Sequence, residues 1–133
     1  MKSLITPFED LITECQSIDE FLNTEISDDM YVVTERGNRL AVFIARTGKM
    51  LADAKYWLNT ETKTEAIEII KQITSAKYSA KIQNALIESV AKEQQYIVDW
   101  CERLNKTATH QLGWCRTLIS KAKEEMRLTG TNF

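Results

Sequence analysis

Few side chains in this sequence can do chemistry, and their spacing decides most of what they can do. His110 is the sole histidine, hence the sole imidazole base for a serine or cysteine nucleophile. Cys101 and Cys115 flank it at distances of nine and five residues. On one straight helix those thiols stand about 21 Å apart, at 1.5 Å per residue, too far to share a site. A zinc centre built from Cys101, His110 and Cys115 would have three ligands at spacings unlike the tight pairs that hold zinc. His110 is therefore expected in a cap region or on the surface. Paired Glu-x-x-His motifs for a di-iron centre need more histidines than this, and no glycine-rich phosphate loop is present. No cofactor and no metal is expected. Cys15, Cys101 and Cys115 are odd in number and fall at apolar positions, which suits reduced, buried thiols in a cytoplasmic protein.

The carboxylates offer more. Glu65-x-x-Glu68 and Asp99-x-x-Glu102 each place two acids on one helix face, and two such faces could hold Mg²⁺ against a phosphate. This arrangement resembles that of the all-α nucleotide pyrophosphohydrolases. That family's first motif carries an additional adjacent glutamate where Thr64 stands here, and the interval between motifs is longer in this chain. The resemblance implies Mg²⁺-dependent hydrolysis of nucleoside triphosphates and requires all four acids to converge. The competing reading is a pair of solvated helix faces on a protein that is not an enzyme, and that is the reading preferred.

Charge points to a third chemistry. The net charge is −2, but nine of the 19 acids lie before Arg36, against one lysine. Arg36, Arg39, Arg46 and Lys49 then form a basic shoulder suited to phosphates, and Tyr78 or Tyr96 could stack unpaired bases. This supports an alternative role as a nucleic-acid-binding accessory protein, although no helix-turn-helix or RNA-binding signature accompanies it. The acidic opening segment is expected to cover the basic remainder.

Punctuation sets the elements that must position these groups. One proline and four glycines in 133 residues leave too few turn formers for a sheet protein, so the fold class is all-α. Thr6-Pro7-Phe8-Glu9 reads as a capping box opening a short acidic helix over about 7–23. Ser27-Asp28-Asp29 opens a long helix over about 29–59, with Val33, Gly37, Leu40, Ile44, Thr47, Leu51, Ala54 and Leu58 in alternating four–three register. The run Asn59–Thr62 reads as a loop, and Thr62–Glu65 as a second capping box. A third helix over about 63–104 follows, with a bend at 74–79 and a stop near Asn105. A C-terminal helix over about 108–128 and a frayed tail at 129–133 complete a single domain. The expected architecture is an antiparallel bundle of about four helices, with long coiled-coil-like members.

The seam residues Leu40, Ile44, Leu51, Leu58, Ile70, Ile73, Ile87, Val98, Leu112 and Ile119 are expected to carry the packing. Polar interruptions at Thr47, Asn84 and Gln94 are the kind that select register and partner. More apolar stripe than one small chain can cover predicts a homo-oligomer, or a second protein as partner. No apolar run approaches the ~20 residues of a membrane span, and Pro7, Glu9 and Asp10 spoil Met1–Leu11 as a signal peptide, so a cytoplasmic location is expected. The segments Leu51-Ala52-Asp53-Ala54-Lys55-Tyr56 and Thr117–Met126 resemble small helical proteins of bacteriophages and prophages, often encoded among early replication and recombination genes. That resemblance implies an interaction role and carries over no catalytic residue.

Overall fold

Apolar residues recurring every three or four positions cannot be shielded by one isolated helix, so the chain doubles back on itself. The computed structural model describes residues 2–75 and 77–130, and every regular element among them is helical. A 3₁₀ turn (Lys2–Leu4) precedes α1 (Phe8–Leu22), α2 (Met30–Ser75), α3 (Ala80–Glu88) and α4 (Lys92–Leu128). Asp29 starts α2: its Oδ1 accepts from the N–H groups of Tyr31 and Val32. Ser79 starts α3 by accepting from Ile82 N–H.

The two long helices form an antiparallel hairpin. A Cβ on Gly37 would stand 3.7 Å from Leu112, Asn105 reaches Ile44 and Thr47, and Glu65 reaches Ala91, so rising numbers on α2 meet falling numbers on α4. Helix α1 lies against both, antiparallel to α2 and parallel to α4. It buries Leu11, Cys15, Ile18 and Leu22 against Leu40, Met50 and Cys101. Each such aliphatic side chain stabilises the fold by about 2 kcal/mol relative to exposure. Every position of the α2 seam from Val33 to Leu58 is buried or half-buried.

The helix boundaries differ from the sequence expectation in three places. First, α2 runs unbroken through 59–63, so no loop or second capping box separates two helices there. Thr60 and Thr64 stay in the helix by donating their hydroxyls back to Tyr56 O and Thr60 O. Second, the expected third helix is divided: its first part belongs to α2, residues 77–79 are not helical, and Ser89–Ala91 turns the chain into α4. Third, α4 is continuous through Asn105, whose side chain bonds across to α2 instead of stopping its own helix. The capping box at Thr6 is also absent. Thr6 N–H and Oγ1 both donate to Asp53 Oδ2, at 3.0 and 2.7 Å, which leaves α1 without a side-chain cap. Gly37 and Gly48 interrupt nothing. Of the expected frayed tail, 131–133 lie outside the described residues.

Candidate functional site

The basic shoulder is where charge gathers, and the chain itself occupies it. Arg36 is buried, and its guanidinium donates to Thr24 Oγ1, Phe21 O, Thr24 O and Gln111 Oε1. No carboxylate lies within ion-pairing distance of it among the described residues. Its stabilisation comes from carbonyl oxygens at the C-terminal end of α1, the negative end of that helix dipole, and from the Phe21 ring 4.6 Å away. Arg39 lies over the rings of Phe21 and Phe43. Arg46 holds Glu14 with two bonds of 2.7 and 2.6 Å and also donates to Thr6 Oγ1. Lys49 Nζ binds both oxygens of Asp53, at 2.5 and 2.6 Å, and Leu4 O. The hydrogen bonds that Arg46 donates to Glu14 raise its guanidinium above its ordinary value, against the opposing effect of burial. Burial pushes the Asp53 carboxyl up, but Lys49 and the two Thr6 donors outweigh it and hold the group below its ordinary value. These four cations therefore fasten α1 and the N-terminal arm to the hairpin. Asp53 anchors Lys49 one turn away, but its tie to the N-terminal arm has no local signal, because Thr6 lies 47 residues away.

The paired carboxylates do not gather. Glu65 accepts from Ala91 N–H, Glu68 pairs with Lys71 at 3.8 Å, Asp99 accepts from Gln95, and Glu102 pairs with Lys106 at 3.1 Å. Among the described residues, no three of His, Cys, Asp or Glu stand close enough to hold a metal ion. His110 is exposed in the middle of α4. Along the unbroken α4, Cys101 and Cys115 remain about 21 Å apart. Cys101 instead meets Cys15 of α1, Sγ to Sγ, at 3.6 Å.

The seam residues divide into two groups. Leu40 and Val98 are buried, and Ile44, Leu51, Leu58, Ile73, Leu112 and Ile119 are half-buried. Ile70 and Ile87 are open to solvent. The reason is geometric: α1 and the arm before it cover α2 only as far as Trp57, whose Nε1 donates to Thr6 O. Beyond it, among the described residues, 58–75 pack against α3 and the start of α4. Ile67, Ile70, Ile82 and Ile87 are there 54, 63, 47 and 58% exposed. Ile70 and Ile87 both line a mainly apolar groove of about 500 Å³, together with Leu58, Ala66, Ile73 and Val90. A half-exposed isoleucine forgoes about 1 kcal/mol of burial, which a covering surface would recover. Segment 59–92 carries four acids and five lysines, so it is close to neutral.

No helix among the described residues is long and apolar enough to cross a membrane. No family model matches the chain, and neither a curated protein nor a solved structure is significantly similar to it.

Proposed function

We propose that this chain is a non-catalytic helical assembly protein that associates with a second copy of itself through the far end of its hairpin. The observation that carries this reading is the exposed isoleucine cluster around the Ile70–Ile87 groove, at the one end that α1 leaves uncovered. At one end of the hairpin the 15-residue α1 covers both long helices, whereas at the other the nine-residue α3 leaves Ile67, Ile70, Ile82 and Ile87 exposed. Two copies meeting about a two-fold axis supply each other with the missing cover, in the isologous arrangement most homodimers adopt. The near-neutral charge of segment 59–92 allows the approach without like-charge repulsion. Structural uses already found for the candidate carboxylates, and for the basic shoulder, weigh against the hydrolase and nucleic-acid alternatives. A role among the assemblies of a phage or prophage fits the sequence resemblance.

Light scattering coupled to gel filtration across a hundredfold range of concentration tests this reading. A mass rising from one chain to two is expected, with the double variant Ile70→Glu/Ile87→Glu staying at one chain and keeping its helical circular dichroism. A wild-type chain monomeric at every concentration would overturn it.

A further inference from the structure

We propose that Cys15 and Cys101 are an oxidisable thiol pair, converted by a peroxide into a disulfide that staples α1 to α4. The two sulfurs come from different helices and stand 3.6 Å apart, both with no exposed surface. A disulfide needs about 2.05 Å, so a closure of about 1.5 Å suffices, within reach of side-chain rotation and a small helix shift. Cys115, the third thiol, is buried on α4 two heptads from Cys101 and has no such neighbour.

The two thiols share a hydrogen bond that either can donate, and the chemistry is the same whichever ionises first. With Cys101 as the thiolate, that sulfur is the nucleophile. It attacks one peroxide oxygen and the O–O bond breaks. The departing oxygen takes up a proton and, with its hydrogen, leaves as water, giving a sulfenic acid at Cys101. Cys15 then attacks that sulfur, the S–O bond breaks, and the Cys15 proton leaves with the hydroxyl as a second water. Two thiols lose two electrons and two protons, and one peroxide becomes two waters.

Burial sets the timing. With α1 seated, neither sulfur touches solvent, so a peroxide reaches them when α1 lifts from the hairpin. Glu14, next to Cys15 in sequence, holds Arg46 and resists that opening. Once formed, the disulfide joins residues 86 apart and makes the docking of α1 permanent until a reductant reverses it. The inference is independent of self-association.

The test treats the full chain with hydrogen peroxide, blocks remaining thiols with iodoacetamide in denaturant, and maps peptides by mass. One blocked cysteine, Cys115, and a reductant-sensitive peptide joining Cys15 to Cys101 are expected. Cys115→Ala should form the same link, and Cys15→Ala and Cys101→Ala should form none. The oxidised wild-type chain should melt at a higher temperature than the reduced one. Three blockable thiols after treatment, a link through Cys115, or oxidation confined to sulfinic and sulfonic acids would overturn the proposal. The wild-type peptide map decides this even if an alanine variant does not fold.

Discussion

Asn105 reaches from α4 across the hairpin seam and donates from Nδ2 to Thr47 Oγ1 and Ile44 O, each at 3.0 Å. Thr47 is fully buried and gives its own proton to Phe43 O at 2.7 Å, so its hydroxyl both accepts and donates. Such a pair fixes register, because sliding either helix by one turn would strand a buried amide among apolar side chains. Asn105→Ala should cost about 1–3 kcal/mol, read from urea unfolding. A cycle with Thr47→Val should show a coupling of at least about 0.5 kcal/mol. Strictly additive losses would mean that the two residues do not act together.

Asn105 also shows where the sequence was legible and where it was not. The faces of α1 and α2 could be read because their periodicity is local: Leu11, Cys15, Ile18 and Leu22 bury as spaced, and Asp29 caps as its type requires. An asparagine followed by threonines reads as a helix stop, but that reading presumes the side chain bonds to its own backbone. Here the partner is on another helix, 58 residues away, and the stop disappears. The threonines at 60–64 misled for a related reason, since back-bonding hydroxyls satisfy themselves inside a helix. The real corner at Ser89–Ala91 has no glycine, proline or asparagine to announce it. Likewise the Cys15–Cys101 contact depends on how α1 registers against α4, which no local pattern encodes.

Asp53 gives the fold a pH dependence. Its carboxyl lies below the ordinary value of about 3.9, so it contributes stability above that pH and loses it as pH falls through the lower folded value. Asp53→Asn should cost about 1–3 kcal/mol at neutral pH, because Lys49 and both Thr6 donors keep only a weaker acceptor. Urea midpoints of the two proteins, measured from pH 7 downward, should stay apart above about pH 5 and converge below about pH 4. A gap that ignores pH would remove the carboxylate from the account.

Arg36 and Arg39 look equivalent in sequence and differ in the fold. Arg36→Met takes the donor from Gln111 Oε1 and Thr24 O, and should cost about 1–3 kcal/mol. Arg39→Ala gives up only ring contacts, and should cost less than about 1 kcal/mol. Thermal melts of the two variants side by side check this, and equal losses would count against it.

The seam isoleucines and leucines should likewise part company. Leu40 is fully enclosed, and Leu40→Ala should cost about 2–5 kcal/mol. Ile70→Ala at the open groove should cost less than about 1 kcal/mol in the isolated chain while weakening self-association. Unfolding at a concentration low enough to keep chains apart, paired with light scattering at high concentration, separates the two effects. A large loss from Ile70→Ala in the isolated chain would place that residue in the core.

Glu65 distinguishes a carboxylate with a structural task from one with a chemical task. Ala91 turns the chain into α4 with φ at +50°, a left-handed conformation costing about 1–2 kcal/mol for a residue with a Cβ. It is held there by Glu65, whose Oε2 accepts from the buried Ala91 N–H. Glu65→Ala should therefore cost about 1–3 kcal/mol and speed hydrogen exchange at the Ala91 amide. Glu68, exposed one turn further on, should change stability by less than about 0.5 kcal/mol when replaced by alanine. Ala91→Gly relieves the strained φ but gives up one buried methyl, so a net change under about 1 kcal/mol is expected. The acids of a magnesium site would respond in the opposite way. Replacing Glu65 or Glu68 would then abolish Mg²⁺-dependent turnover of a nucleoside triphosphate and leave exchange at Ala91 unchanged.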